Sequence, residues 1–492
     1  MLIDARTLST ETRLEVDLCI LGGGPAGLTI ADSLAGSSLS IAVLESGGTR
    51  PEPEDEALLA GTVHGPLYGR KGGYLATTRT RAFGGLADFW RGSSRPFDGE
   101  DLAARAWVAG SGWPLTLADL EPYHRRAFEL LELPPDAGPP ARELLVDDDR
   151  FTSSWLAYAP PTALGDPWRR RLAAAANVRI LLRANAVALD LDDAGRQVER
   201  ARVVCPGGPR FEVRARRFVL AAGAIESARL LLASNSQRPA GLGNGHDLVG
   251  RYFMDQLIFD VGIVALPGQG SRPLAYRALK SRPGRRGIMR PTTALQARHE
   301  LLNSLATLIP TTTRRGGALA AAIGHSILDQ ARLREPSDTP SAQYFGVVTL
   351  RGEQLPERDN RVALGATRDA AGLPRVALSA RPGDHDAWSL KTTAQLLAES
   401  LGRRGLGRLR YDEPFGLNPR RFKWSGYQSG TTRMSREASQ GVVDTDCRVH
   451  EVPNLFVAGS SVFPTSGCSG PMVTLVALAL RLSDHLRGLF DA

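Results

Sequence analysis

The first strong pattern along the chain is an apolar run, Val16 to Leu21, with the length and character of a buried parallel strand. The glycine-rich stretch "GGGPAG" follows and opens an amphipathic helix. A second strand, "LSIAVLES", then ends in Glu45. Later segments repeat the theme. Residues 177–192 read as two strand-like runs, and 216–234 as a strand, a small-residue turn and a helix. Residues 454–467 read as a strand running into a small-residue turn, followed by the helix "TLVALALRLSDHL". The most apolar stretch, 16–44, is cut by Gly22, Gly23, Gly24, Pro25 and Gly27, so it predicts strand, turn and helix rather than a membrane span.

A chain of 492 residues exceeds one small core and predicts two or three structural domains. Its 42% hydrophobic and 23% charged residues are those of an ordinary globular protein. The net charge of +8 is spread over short arginine clusters such as Arg169, Arg170 and Arg171, or Arg282, Arg285 and Arg286. No long basic tract with interleaved aromatics occurs, so no nucleic-acid partner is expected. Cys19, Cys205, Cys447 and Cys468 are widely spaced and form no CxxC, which argues against a metal site or a disulfide framework. The N-terminal "MLIDARTLSTETR" is polar and has no secretory pattern, so a cytoplasmic location is expected.

The glycines have the spacing Gly22-x-Gly24-x-x-Gly27 between a strand and a helix, and an acid, Glu45, stands at the tip of the next strand. This context is that of a dinucleotide site. Gly22 permits the tight turn, Gly24 lets the backbone approach a pyrophosphate, and Gly27 lets the helix pack close. The helix N-terminus offers free N–H groups to phosphate. Glu45 can accept hydrogen bonds from ribose. The fingerprint alone does not separate FAD from NAD. A second glycine pair, Gly84-Gly85, and several strands returning to small-residue turns suit a long dinucleotide lying across the sheet.

Together the segments "ILGGGPAGL", "LESGG", "RAFGGLADFWRGSSRPFD", "LAAGAIESARLLLAS", "LVGRYFMDQ", "GTTRMS", "GVVDTDCRVHEVPNLFVAGSSVFPTSG" and "PMVTLVALALRLSDHL" resemble the glucose–methanol–choline (GMC) oxidoreductases, in family order. The nearest-looking branch is the bacterial one of pyranose-oxidase-like and gluconate-dehydrogenase-like enzymes. The resemblance implies an α/β fold: a Rossmann-like FAD-binding domain plus an α+β substrate domain with an antiparallel sheet. The FAD domain would be discontinuous, at residues 1–100, 160–255 and 420–492. Residues 256–419 would form the substrate domain, and 101–159 a connecting or lid segment. By the same resemblance Gly22, Gly24, Gly27, Glu45, Ser46, Gly84, Gly85, Val187, Ala222, Gly459, Ser460, Pro471 and Met472 would contact FAD. A small molecule would be the substrate, with oxygen, a quinone or a protein as electron acceptor. Phe89 stands where some relatives link FAD through a histidine, which implies non-covalent FAD.

Near the expected flavin ring the sequence leaves the family pattern. In "WSGYQSGTTRMS" the usual histidine is replaced by Tyr427, and no histidine lies between His385 and His450. Gly470 takes the place of the family's Asn or His before Pro471, and Gln256 replaces a frequent His in "GRYFMDQ". Alcohol oxidation needs a hydride acceptor and a group to receive the hydroxyl proton, and histidine titrates in the suitable range. Tyrosine, at about 10, is mostly protonated and serves better as a hydrogen-bond donor or acid. Tyr427, Gln428, Gln256 and Cys468 are therefore the candidate catalytic groups, Cys468 as either a thiol nucleophile or an inert buried residue. Three activities stay open: oxidation of a C–O or C–N bond; desaturation or ene reduction with Tyr427 as acid–base; and a non-redox lyase- or decarboxylase-like reaction.

Overall fold

The computed structural model describes residues 1–67, 73–89, 92–134, 148–158, 165–266, 284–311, 344–411 and 422–491. The apolar run forms the strand Arg13–Leu21, which pairs in parallel with Ile41–Leu44 on one side and Arg210–Leu220 on the other. Val178–Leu182 and Leu2–Asp4 extend one edge in parallel. Leu455–Val457 joins Arg210–Leu220 in parallel, and Val198–Val204 and Asn185–Leu191 add an antiparallel meander. Leu18, Cys19, Ile20, Leu28 and Ile30 are fully buried, because the sheet and the helix Pro25–Ser33 lie inside the domain. The C-terminal ends of the parallel strands collect Gly22, Glu45, Ala221 and Ala458 along one rim, where open α/β sheets bind ligands.

A second eight-stranded sheet lies against this rim and is antiparallel throughout. It takes strands from Gln256–Leu266, Gly284–Pro291, Ser304–Thr311, Tyr344–Glu353 and Arg408–Tyr411. It also takes Ser93–Ser94, Phe151–Tyr158 and Lys423–Trp424. Phe151–Tyr158, which falls within the expected segment 101–159, is thus a strand of the second sheet. That strand is completed only by pairing with the distant Gly284–Pro291. The helix Leu117–Leu130 of the same segment packs on the closing helix Met472–Asp491.

Pleating separates the faces of the second sheet. Gln256, Ile258 and Asp260 share a face with Glu353, Arg351 and Thr349, and with Leu305 and Thr307. The opposite face carries Leu257, Phe259, Leu350 and Gly352 and is covered by the helix Asp384–Arg403. A Cβ on Gly352 would lie 2.8 Å from Leu390 Cδ2. No described helix is long and apolar enough to cross a membrane, and no group of metal-ligating side chains occurs among the described residues.

His124, on Leu117–Leu130, is buried against the closing helix, with Thr474 Oγ1 3.3 Å from its Nε2. Burial, helped by Arg95, lowers its pKa to about 4. The unfolded chain binds this proton near 6.5 and the folded chain does not. Its contribution to stability is therefore present above pH 6.5 and is lost as pH falls towards 4. His124→Gln should flatten that limb of the stability profile by up to about 3 kcal/mol, at about 1.4 kcal/mol per pH unit. Denaturant melts between pH 4 and 7 check this; a limb unchanged in the variant would exclude His124 as its origin.

Candidate active site

The glycine turn is shaped by contacts that leave no room for side chains. Gly22 has φ +119°, and a Cβ there would lie 2.5 Å from the Ala221 carbonyl oxygen. A Cβ on Gly27 would lie 2.1 Å from the Gly22 oxygen, so the helix packs directly on the turn. The Gly84 N–H donates to the Gly23 carbonyl at 2.8 Å, which seats the second glycine pair on the first. A Cβ on Gly85 would come within 3.1 Å of Gly24 Cα.

Gly24 differs from these: its Cβ direction meets nothing within 4 Å. The same is true of Gly223, just past the strand Arg210–Leu220, and of Gly459, just past Leu455–Val457. Three neighbouring parallel strands therefore end in turns with open space in front of them. Ala222 caps the helix Gly223–Ala233, and Pro471 and Met472 begin the closing helix, so helix N-termini face the same rim. Glu45 is buried; its Oε2 accepts the Gly23 N–H at 2.9 Å and its Oε1 accepts the Gly47 N–H at 2.8 Å, with Ser46 Oγ at 3.4 Å. Burial pushes its carboxyl up to about 7. Val187 sits at a bulge between Ala186 and Ala188 of the strand Asn185–Leu191. Ser460 Oγ donates to the Gln428 carbonyl at 2.5 Å and ties this rim to the Tyr427 loop. The open turns, the helix N-termini and the acid suit a dinucleotide of FAD's length. The Phe89 side chain lies outside the described residues.

At the other end of the rim the tyrosine and the glycine meet. Tyr427 Oη lies 3.5 Å from where a Cβ on Gly470 would be. The same Cβ would be 2.5 Å from the Ser93 carbonyl oxygen, so this backbone admits no side chain at 470. The phenol reaches into the space beside Gly470, and its hydroxyl makes no hydrogen bond to any described residue.

The other sequence candidates have structural duties. Gln256 is fully buried, and its Nε2 donates to the carbonyls of Ser466, Gly467 and Ser469 at 3.2, 3.0 and 2.6 Å. It pins the loop of residues 466–469, and its Oε1 is buried without a hydrogen-bond partner. Gln428 Nε2 donates to Thr78 Oγ1 at 2.9 Å. Cys468 is fully buried in an apolar cluster with Leu156, Ile288 and Leu305, and burial pushes its thiol up to about 12. Such burial disfavours the thiolate that a nucleophile needs.

Two residues escaped the sequence reading. Asp255 is fully buried and accepts five hydrogen bonds: from the N–H groups of Gln256, Gly426 and Tyr427 at 2.7, 2.9 and 2.9 Å, from Ser425 Oγ at 2.5 Å and from Tyr74 Oη at 2.8 Å. It is the anchor of the Tyr427 loop. An acid between the apolar Phe253-Met254 and Leu257 was the available signal, since a buried carboxylate needs such partners. Arg351 places its guanidinium 5.6 Å from the centre of the Tyr427 ring.

A family model described as GMC oxidoreductase matches residues 356–479. The chain is 26% identical to 6'''-hydroxyparomomycin C oxidase of Streptomyces lividus, covering 95% of this chain and 90% of that protein. It is 27% identical to paromamine 6'-oxidase of Streptomyces fradiae, covering 96% and 91%. Among solved structures it resembles pyridoxine 4-oxidase from Mesorbium loti, with TM-score 0.58 at 17% identity over 96% of this chain and 99% of that one. Formate oxidase shares the fold at TM-score 0.57 and 16% identity, over 97% and 99%. With the glycine rim and the two-sheet architecture in place, these likenesses point the same way: the chain resembles the GMC oxidoreductases, which are FAD-dependent enzymes, through the family model over residues 356–479 and through relatives and neighbours that match nearly its whole length.

Proposed function

We propose that this protein oxidises a C–O or C–N bond of a small molecule in a pocket where Tyr427 stands in place of the family's histidine. The observation that carries the reading is the meeting of Tyr427 Oη and Gly470 at the end of the FAD rim, 3.5 Å from the excluded Cβ position. Two separate departures from the family pattern thus form one site. FAD, when bound, supplies the two-electron acceptor. Gly24, Gly223 and Gly459 would leave room for it, and Glu45 and the helix N-termini would hold its polar parts. Asp255 fixes the backbone of residues 425–427, which sets the reach of the phenol. Tyr427 hydrogen-bonds the substrate heteroatom and orients the bond to be oxidised, and the proton that this heteroatom gives up passes to solvent. A neutral hydrogen-bonding group of this kind suits a hemiacetal, which needs less help from a base than a simple alcohol does. The relatives named for paromamine, fructose and 2-methyl-1,2-propanediol support a small polar substrate.

The test is anaerobic mixing of the purified yellow protein with a panel of alcohols, amines, hemiacetals and saturated ketones. Bleaching of the oxidised flavin band by alcohols, amines or hemiacetals is the expected result. Bleaching by saturated ketones alone would move the assignment to desaturation beside a carbonyl. Bleaching by no member of the panel would count against a redox role.

A further inference from the structure

The inner face of the substrate sheet carries several charged side chains, and all but one with described surroundings have a counter-charge. Glu353 pairs with Arg105. Arg290 pairs with Asp98 at 2.7 Å and Glu100 at 3.2 Å. Asp260 pairs with Lys423 at 2.6 Å and accepts from Thr349 Oγ1 at 2.9 Å. Arg351 is the exception. Its guanidinium faces the Tyr427 ring at 5.6 Å, its Nη1 is buried without a hydrogen bond, and no described carboxylate approaches it. The residue as a whole is half-buried, so part of the fork remains reachable.

A ring face alone is weak compensation for a partly desolvated guanidinium. Such a contact contributes about 0.5–2 kcal/mol, whereas an unmet polar group at a buried position costs about 1–3 kcal/mol. The planar fork is suited to an oxyanion taken through two parallel N–H bonds. The position is also informative. Register places Arg351 between Ile258 and Leu305, so the pleat directs it to the side of the sheet that faces Tyr427.

We propose that the substrate carries an oxyanion, a carboxylate or a phosphate, which Arg351 takes while the phenol of Tyr427 meets the carbon–heteroatom bond being oxidised. The inference rests on the oxidoreductase reading only in placing the reacting bond at Tyr427. Arg351 is then the specificity-determining residue of the pocket: it favours small acids and phosphate esters, and it disfavours cationic amino compounds by like-charge repulsion.

The test uses the purified holoprotein and calorimetric titration with L-lactate, glycerol 3-phosphate, glycerol and ethanolamine. At low salt, lactate or glycerol 3-phosphate should bind at least about tenfold more tightly than glycerol, and ethanolamine should bind worst. The preference should shrink as salt is raised. Whichever of the two anions binds more tightly identifies the group. Arg351→Met should erase the preference, and Arg351→Lys should keep part of it, because the charge remains and the fork is lost. Flavin content and melting temperature, measured on both variants, show whether the fold and the FAD site are intact. Equal binding of glycerol and the anions, or an anion preference that survives Arg351→Met, would overturn the proposal. The flavin-bleaching panel separates the two readings. Neutral compounds that bleach the flavin while anions gain nothing would leave the oxidoreductase reading standing and remove this one. Tight anion binding lost in Arg351→Met, with no panel member bleaching, would do the reverse.

Discussion

A Gly24→Val variant is expected to purify as folded protein with almost no flavin. The backbone at Gly24 is extended, at φ −86° and ψ −174°, so valine is conformationally acceptable there. A Cβ at this position meets no protein atom within 4 Å, so the protein itself has no clash to relieve. The valine methyls would instead fill the space in front of the helix Pro25–Ser33, where the pyrophosphate of FAD is expected to lie. Gly22 and Gly27 make poor tests of the same idea, since side chains there would strike backbone oxygens at 2.5 and 2.1 Å and damage the fold first. Acid denaturation followed by flavin absorbance of the supernatant measures occupancy. Wild type should release about one FAD per chain into solution, as Phe89 offers no histidine for a covalent link. A folded Gly24→Val protein with full flavin would refute the placement of the cofactor.

The second large effect is expected at Tyr427. Tyr427→Phe should bind FAD normally and lower the rate of substrate-driven flavin reduction by about tenfold to 150-fold, the loss of about 1–3 kcal/mol expected for one hydrogen bond made in the transition state. A loss nearer ten-thousandfold, with a tyrosine-like ionisation in the pH–rate profile, would show that the phenol also moves a proton. An unchanged rate would make Tyr427 a packing residue and end the proposed role. Tyr427→His is the complementary variant. It would place a histidine where the resemblance leads one to expect the base, but no partner can be added at 470: a side chain there would meet the Ser93 carbonyl at 2.5 Å. Little or no gain in alcohol oxidation is therefore expected. A large gain would mean that the pocket is a damaged alcohol oxidase.

Much of the glycine rim was legible in the sequence, because its determinants are local. An apolar run, three glycines at set spacing and an acid at the next strand tip each act within a few residues, and backbone sterics make those glycines necessary wherever the motif occurs. That Tyr427 and Gly470 stand where the resemblance leads one to expect a histidine and its partner is likewise a reading of position alone. What those residues and their neighbours do was decided by tertiary structure. Gln256 became a clamp because the carbonyls of residues 466–469 fold back onto it, and Cys468 became inert because side chains from three sheet strands close over it. Asp255 draws donors from Tyr74, Ser425, Gly426 and Tyr427, which no local pattern links to it. The strand Phe151–Tyr158 acquires its place only through a partner far along the chain. Arg351 points at Tyr427 because of strand register: a slip of one residue would turn it to the face beneath the helix Asp384–Arg403. Burial, partner choice and facing direction are non-local quantities, set when distant segments pair, and in this protein they are what distinguish the groups that meet a substrate from those that only hold the site together.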